Sequence, residues 1–131
     1  MNVKICSRKE IERLLNHDFP ADTAVISFYD SDSAPRVNYQ KKADSVLYVP
    51  LDDFQTELPQ AKEIAKFIRT AEAKGLNIIC QCESGQSRSA GCAAAILEHY
   101  HHTSQSVFDD DRYQPDEMIY YKVLDALENI K

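Results

Sequence analysis

The part of this 131-residue chain that most constrains its fold is residues 77–100, NIICQCESGQSRSAGCAAAILEHY, where a polar stretch separates an apolar run from a run of small residues. The apolar run from Ile78 to Cys80 suits a buried strand, whereas the small residues from Ser89 to Leu97 favour a helix. The polar octapeptide from Cys82 to Ser89 must therefore connect a strand to a helix. A strand, a short connection and a helix in this order predict an α/β fold.

The backbone of this connection predicts a phosphate-binding loop. A loop that ends at a helix N-terminus directs several backbone N–H groups into one concavity, and the helix dipole adds positive potential there. Gly85 can supply the positive φ that such a concavity needs. We expect a phosphate-like dianion to bind to the following residues: Glu83, Ser84, Gly85, Gln86, Ser87 and Arg88.

Two side chains at the ends of the predicted loop are suited to react with a bound phosphate group. Cys82 begins the loop, where positive potential favours the thiolate over the thiol and so makes the residue a nucleophile. Arg88 ends the loop, and its planar guanidinium matches two oxygens of a phosphoryl group. A nucleophile and a cation at one anion site indicate phosphoryl-transfer chemistry.

The octapeptide resembles the signature of the cysteine-dependent protein tyrosine and dual-specificity phosphatases, Cys-x5-Arg-Ser/Thr. Cys82, Gly85, Arg88 and Ser89 match it, whereas Gln81 stands where the family has a histidine. Pro115-Asp116, which follows an acidic stretch, is similar to a C-terminal segment of the small single-domain members found in bacteria. The resemblance covers about residues 24–127 and is specific at the loop.

The resemblance implies a two-step phosphomonoesterase with a phosphocysteine intermediate. Cys82 would attack phosphorus, Arg88 would stabilise the transferring group, and Ser89 would assist the departing thiolate. An upstream aspartate would protonate the leaving oxygen, and the pattern YVPLDD selects Asp53 for this role. Asp52 is the alternative, and Glu57 is the next acid to consider.

The rest of the chain predicts a central, mainly parallel sheet of four to five strands flanked by helices, in one domain over residues 1–131. Apolar runs predict strands over residues 3–5, 24–29, 45–51 and 76–82. Ser7-x-x-Glu10 is a capping box that begins a first helix, and residues 59–74 have helical periodicity. Pro115 is expected to open the last helix.

Composition and the lengths of the apolar runs limit which partners and which cellular location can be expected. A net charge of −6 and a pI near 5.1 argue against nucleic acid as a partner. The N-terminus has no apolar signal-peptide region, and no apolar run reaches the length of a membrane span. We expect a cytoplasmic monomer that acts on a phosphorylated protein or peptide, away from membranes.

The cysteines and histidines do not indicate a metal site or disulfide bonds. Cys6, Cys80 and Cys92 are expected to be reduced core thiols beside the reactive Cys82. A cluster at His99, His101 and His102 lacks the ligand spacing of a structural zinc site. Every catalytic role can be assigned to a side chain or backbone group without a metal ion, so the sequence predicts no metal and no cofactor.

Two other functions stay open at this point. A non-catalytic phosphate- or phosphoprotein-binding module could use the same loop, and Gln81 favours it. A thiol-dependent sulfur-transfer or arsenate-reducing enzyme also needs a cysteine in an anion loop, but Ser89 and the Asp52-Asp53 pair count against it. For the phosphatase, we expect phosphotyrosine or mixed phosphopeptides rather than phosphoinositides, because no residue within the loop before Arg88 is basic.

Overall fold

A computed structural model describes residues 1–30, 35–52 and 55–130. Its elements in chain order are β1 (Val3–Cys6), α1 (Arg8–Asn16), β2 (Thr23–Tyr29), β3 (Ser45–Pro50), α2 (Ala61–Ala73), β4 (Asn77–Gln81), α3 (Arg88–His101), α4 (Gln105–Phe108) and α5 (Glu117–Asn129). None of the described helices is both long enough and apolar enough to cross a membrane.

Within the described residues the sheet has four strands in the order β1-β4-β2-β3, and every pair is parallel. This confirms the prediction of a mainly parallel sheet of four to five strands in an α/β fold. β4 lies between β1 and β2, with Gln81 in register with both Cys6 and Ser27. Because the carboxyl ends of parallel strands share one edge, the segments that follow β2, β3 and β4 come together there.

The two faces of the sheet bury different residues. Ile26 and Ile78 pack with α2, α3 and α5 in one core, whereas Val25 and Ile79 pack with α1 in another. This alternation follows from the period of two along a strand, and both faces are covered, as expected for a parallel sheet. Gln81 and Cys82 are therefore supported from both sides of the sheet.

Several boundaries differ from those that the sequence predicts. The strand expected over residues 76–82 ends at Gln81, so Cys82 already belongs to the loop. The helix expected from Ser89 to Leu97 runs from Arg88 to His101, because helix-compatible residues continue to His102, which adopts a left-handed conformation at φ 56°.

The capping box at Ser7 is confirmed, since its side chain accepts a hydrogen bond from Glu10 N and Glu10 accepts one from Ser7 N. The prediction that Pro115 opens the last helix is wrong, because Pro115 lies before the N-cap residue. Asp116 is the N-cap of α5, with its side chain accepting a hydrogen bond from Ile119 N, and the helix starts at Glu117. Asp116 is a better N-cap than Pro115 because its carboxylate accepts a hydrogen bond from an N–H of the first turn, which a proline side chain cannot do.

Candidate active site

A cavity of about 430 Å³ opens at the carboxyl edge of the sheet, where β4 passes into α3. Cys82 and Arg88 both line it, together with Glu83, Ser84 and Ser87. Gly85 and Gln86, which the sequence also assigns to phosphate binding, do not line it. The structure thus brings the predicted nucleophile, the predicted cation and most of the predicted loop to one concave surface.

Contacts from other segments fix the orientation of the loop backbone. The carbonyl oxygens of Glu83, Gln86 and Ser87 accept hydrogen bonds from Arg8 N, Gln114 N and Asp116 N at 3.2, 2.8 and 3.0 Å. In a trans peptide the C=O and the following N–H point in opposite directions. Carbonyls directed outward therefore turn the N–H groups of the following residues toward the inside of the loop, as an anion site requires.

Gly85 shows why this loop needs a glycine at its turn. Its φ is +69°, and a Cβ placed there would lie 2.6 Å from Ser7 N and 2.9 Å from Ser7 Cα. Any side chain would therefore strain the backbone and collide with the start of α1. The close approach also explains how Arg8 N reaches the Glu83 carbonyl.

The Cys82 thiol lies at the buried end of the cavity, with only 4% of the residue exposed. Its Sγ is 3.0 Å from Ser89 Oγ and accepts a hydrogen bond from Ser89 N at 3.4 Å. Ser89 is fully buried in the first turn of α3. Two polar groups of Ser89 can thus stabilise negative charge on the sulfur, as can the positive end of the helix dipole.

A second arginine, Arg8, lines the cavity, although the sequence did not indicate it. Arg8 is the first residue of α1, and its Nη1 donates a hydrogen bond to the Pro35 carbonyl at 2.7 Å. It also lies 3.8 Å from the carboxylate of Glu83. Because the contact depends on tertiary packing between α1 and the loop, nothing in the local sequence around Arg8 indicates it.

The position of the predicted general acid is only partly described. Asp53 lies outside the described residues. Asp52, directly before it, is exposed and lines the cavity, and its backbone exchanges hydrogen bonds with Gln55. Glu57, the third acid considered, does not line the cavity formed by the described residues.

Two further carboxylates line the cavity and were missed. Asp30 directly follows β2 and is half-buried, and Asp116 caps α5. The signal for Asp30 was available, because an acid after a buried strand is the same pattern that made Asp53 and its alternative Asp52 candidates. Asp116 could not be placed from sequence, since the approach of α5 to the loop is a tertiary contact.

No family model and no curated protein sequence matches the chain. Solved structures do. The human DUSP28(Y102H) structure superposes with a TM-score of 0.65 at 17% identity, covering 96% of this chain and 89% of that one. PTPMT1 in complex with PI(5)P gives 0.64 at 17% identity, with 97% and 90% covered. Tk-PTP in its active form gives 0.63 at 16% identity, with 99% and 94% covered.

The chain has the fold of the protein tyrosine and dual-specificity phosphatases. The resemblance inferred from the loop is thereby confirmed as one of fold, over nearly the whole chain. At these identities the superpositions establish the architecture, and they leave the activity to be inferred from the site.

This phosphatase fold has an unusual side chain directly before its cysteine. Gln81 is buried, and its Oε1 accepts a short hydrogen bond from Ser27 Oγ and one from the Tyr39 hydroxyl at 3.0 Å. The Tyr39 oxygen is also 3.3 Å from Ser27 Oγ. The three side chains form a polar cluster on the α1 side of the sheet, and Ser27 and Gln81 line the cavity beside Cys82.

The other cysteines are core thiols in this phosphatase fold. Burial raises the pKa of Cys6 to about 11, and a hydrogen bond with Cys92, followed by burial, raises that of Cys80 well above its ordinary value. Both therefore stay protonated at neutral pH and are poor nucleophiles. All four cysteines are free, and the described residues hold no group of three or more His, Cys, Asp or Glu that could bind a metal ion.

Proposed function

We propose that this protein is a cysteine-dependent phosphatase that hydrolyses phosphotyrosine, or a mixture of phosphorylated residues, in proteins or peptides. The main support for the proposal is that Cys82 and Arg88 line one cavity. The carbonyls of the loop that joins them accept hydrogen bonds from other segments of the chain, which leaves its N–H groups directed into the loop. A nucleophile, a cation and inward N–H groups are the parts that phosphoryl transfer requires.

In the first step, Cys82 Sγ attacks phosphorus in line with the ester bond. The S–P bond forms as the P–O bond breaks, and an aspartate gives its proton to the leaving oxygen. Arg88 and the backbone N–H groups from residue 83 to residue 88 stabilise charge on the three equatorial oxygens. The positive potential of the loop is present before the reaction, so little reorganisation is needed.

In the second step, water attacks the phosphocysteine and the S–P bond breaks. The same aspartate, now ionised, takes a proton from the water, and inorganic phosphate is released. Ser89 Oγ, 3.0 Å from Sγ, donates a hydrogen bond to the thiolate as it departs. No residue in either step requires a metal ion, so we propose that the activity resists chelators.

Asp53 remains the proposed general acid. Its neighbour Asp52 lines the cavity, which supports a position for this segment within reach of the leaving group. Asp30 follows β2, the strand next to β4, and is the second candidate. Asp116 is less suitable, because its carboxylate is engaged as the N-cap of α5.

The walls of the cavity favour an aryl phosphate over a polyphosphorylated headgroup. Among the described residues that line it, two arginines are outnumbered by four carboxylates, from Asp30, Asp52, Glu83 and Asp116. A headgroup with several phosphates would be repelled by this surplus of negative charge. Phe28, Val37, Leu51 and Met118 provide apolar surface for a ring.

An assay with para-nitrophenyl phosphate in the presence of EDTA tests the reaction. We expect Cys82→Ser to remove the activity, since a serine hydroxyl is not ionised by the loop. Cys92→Ser is the matched control, because Cys92 is a buried thiol on α3 that does not line the cavity. Retained activity in Cys82→Ser, or inhibition of the wild type by EDTA, would show that the mechanism is wrong.

A panel of phosphotyrosine, phosphoserine and phosphothreonine peptides with inositol phosphates, at equal concentration, tests the substrate class. PTPMT1, which has the same fold, was solved with PI(5)P, so inositides are the relevant competitor. We expect the highest kcat/KM with phosphotyrosine. A preference for inositol phosphates would refute the argument from cavity charge and leave the phosphatase mechanism standing.

Gln81 favours a second candidate, a phosphoprotein-binding module without turnover. A neutral amide precedes the cysteine where the phosphatases have an ionisable histidine. Calorimetry with a phosphotyrosine peptide, alongside the turnover assay, separates the two functions. Binding without release of phosphate would support the module, and burst release of one phenol per protein would support the enzyme.

A further inference from the structure

The cluster of Gln81, Ser27 and Tyr39 is among the most deeply buried polar groups beside the cavity. The three residues are 2%, 1% and 3% exposed. Gln81 and Ser27 are register partners on the central strands β4 and β2. Tyr39 reaches them from the connection between β2 and β3, where its ring packs against those of Phe19 and Tyr48.

The hydrogen bonds of this cluster decide which end of the amide is available to the cavity. An amide oxygen has two lone pairs and its nitrogen has two donors. Ser27 and Tyr39 both donate to Gln81 Oε1, so the oxygen has its full complement of partners. Burial raises the pKa of Tyr39 well above its ordinary range, so its hydroxyl keeps the proton that it donates.

We propose, resting on the phosphatase function above, that Ser27 and Tyr39 orient the Gln81 amide so that it presents its nitrogen, and not its oxygen, to the anion site. Ser27 and Tyr39 are then positioning residues that act through Gln81. A neutral donor beside Cys82 favours anions on the cavity floor, both the phosphoryl group and the thiolate. The amide would thus supply a hydrogen-bond donor at the position before the nucleophile without an ionisable side chain.

The alternative orientation would oppose binding. If the amide were turned over, its carbonyl oxygen would face the phosphoryl oxygens, and partial negative charges would meet. The two hydroxyls oppose this, because in the turned-over amide both would have to accept from the nitrogen. Tyr39 could then donate only to Ser27 Oγ, 3.3 Å away, and the buried Ser27 proton would lose the acceptor that Gln81 Oε1 now provides.

Two substitutions of Gln81 test the donor directly. Gln81→Glu keeps an oxygen for Ser27 and Tyr39 but replaces the donor by an anion, and we expect kcat/KM for an aryl phosphate to fall about a hundredfold. Gln81→Met keeps the shape and removes all hydrogen bonding, and we expect a fall of about tenfold. The fall in Gln81→Met is the discriminating result, because removal of an amide oxygen that faced the anion would strengthen binding instead of weakening it.

A double-mutant cycle tests the orienting role. Tyr39→Phe should lower kcat/KM about three- to tenfold when Gln81 is present and by less than twofold in the Gln81→Met background. Tyr48→Phe is the matched control, since that hydroxyl belongs to a ring packed on Tyr39 but donates to the Val37 carbonyl at 2.7 Å instead. We expect it to leave kcat within about twofold of the wild type, because a hydroxyl outside the cluster does not orient the amide.

Binding of inorganic phosphate, measured by calorimetry, provides a readout that needs no turnover. Gln81→Glu should weaken phosphate binding about tenfold or more, and Gln81→Met less. Thermal unfolding of each variant shows whether it is folded. Wild-type values for both Gln81 variants, or an equal effect of Tyr39→Phe in both backgrounds, would overturn this inference while leaving the Cys82 chemistry intact. If the wild type bound phosphate but did not turn it over, these binding results would still decide the point.

Discussion

The two sides of the candidate active site are built differently. On the nucleophile side, backbone N–H groups bind the loop from two separate segments, the start of α1 at Arg8 and the connection into α5 at Gln114 and Asp116. On the acid side, Asp52 is exposed, and the hydrogen bonds of its backbone go to Gln55, three residues away. The loop backbone is thus held by residues distant in sequence, whereas the backbone of Asp52 is held by a residue close in sequence.

The two sides have different tasks in the proposed reaction: the loop positions and stabilises the phosphoryl group, and the acid transfers a proton. Electrostatic stabilisation depends on donors that are already in place, so the loop needs rigid support. A general acid must reach the leaving oxygen of different substrates, and an exposed strand end allows this. Substitutions in the loop should therefore change both stability and activity, whereas substitution of the general acid should change the proton-transfer step.

Removal of the cation on the nucleophile side should have the largest effect. Arg88→Ala should lower kcat/KM about 10³- to 10⁵-fold, because the guanidinium stabilises charge that develops in the transition state. Arg88→Lys should recover only part of this loss, since an ammonium cannot bind two oxygens in one plane. If lysine restored full activity, bidentate binding would be excluded and Arg88 would act as a simple charge.

The acids on the other side can be ranked by single substitutions. Asp53→Asn should lower kcat about 10²- to 10⁴-fold and flatten the basic limb of its pH profile, because the proton donor is lost. Asp52→Asn and Asp30→Asn should each have a much smaller effect. Unfolding temperatures measured on the same three variants separate a loss of the proton donor from a loss of folded protein.

An aryl phosphate with a more acidic leaving group tests whether the substituted aspartate is the proton donor. The loss in Asp53→Asn should shrink with such a substrate, because its oxygen departs without a proton. If Asp30→Asn showed the larger loss and the same dependence on the leaving group, the acid would come from β2 instead of the segment after β3.

The same contrast explains what the sequence could predict. The loop is contiguous, so its glycine, its cysteine and its arginine could be identified within eight residues. The strands of a buried parallel sheet are short apolar runs, and four of them were predicted close to their observed bounds. The contacts of Arg8 and Asp116 could not be predicted, because they depend on how α1 and α5 approach the loop.

Gln81 illustrates the limit of prediction from the sequence most directly. Its partners Ser27 and Tyr39 are 54 and 42 positions away along the chain, and no periodicity links them. The departure from the family pattern was visible in the sequence, but its hydrogen bonds were not. Only the register of β2 against β4 and the path of the β2–β3 connection bring the three side chains together.

Substitution of two glycines can measure how much the contact between the loop and α1 contributes to the free energy of unfolding. Gly75 and Gly85 have nearly the same φ, +71° and +69°, but a Cβ at Gly75 would meet nothing within 4 Å. Gly75→Ala should therefore lose only the cost of a left-handed conformation, about 1–2 kcal/mol of unfolding free energy. Gly85→Ala should lose about 3–5 kcal/mol, because its methyl group also collides with Ser7.

Denaturant unfolding of both variants gives the two values, and the aryl phosphate assay gives their activities. Gly85→Ala should also reduce turnover at temperatures where it is still folded, since the displaced backbone no longer directs its N–H groups inward. Gly75→Ala should retain wild-type turnover. Equal losses of stability in the two variants would show that the contact between α1 and the loop relaxes at little cost.

A smaller loss of turnover than that of Arg88→Ala or Asp53→Asn is expected at Ser89, which belongs to the nucleophile side but acts on one half of the reaction. Its Oγ lies 3.0 Å from Cys82 Sγ. The sulfur carries the most negative charge as the thiolate leaves the phosphocysteine, so the hydroxyl should matter more in the second step than in the first. Ser89→Ala should lower kcat about tenfold and leave kcat/KM nearly unchanged, because kcat/KM reports only steps up to the first irreversible one.

Rapid mixing with para-nitrophenyl phosphate separates the two steps in this variant. Slower hydrolysis of the intermediate should produce a burst of phenol close to one per active site, followed by a slower steady rate. The backbone N–H of Ser89, 3.4 Å from Sγ, is kept in Ser89→Ala, so attack by Cys82 should remain fast. A fall in kcat/KM as large as the fall in kcat, without a burst, would instead place the hydroxyl in the first step, where it would support the attacking thiolate.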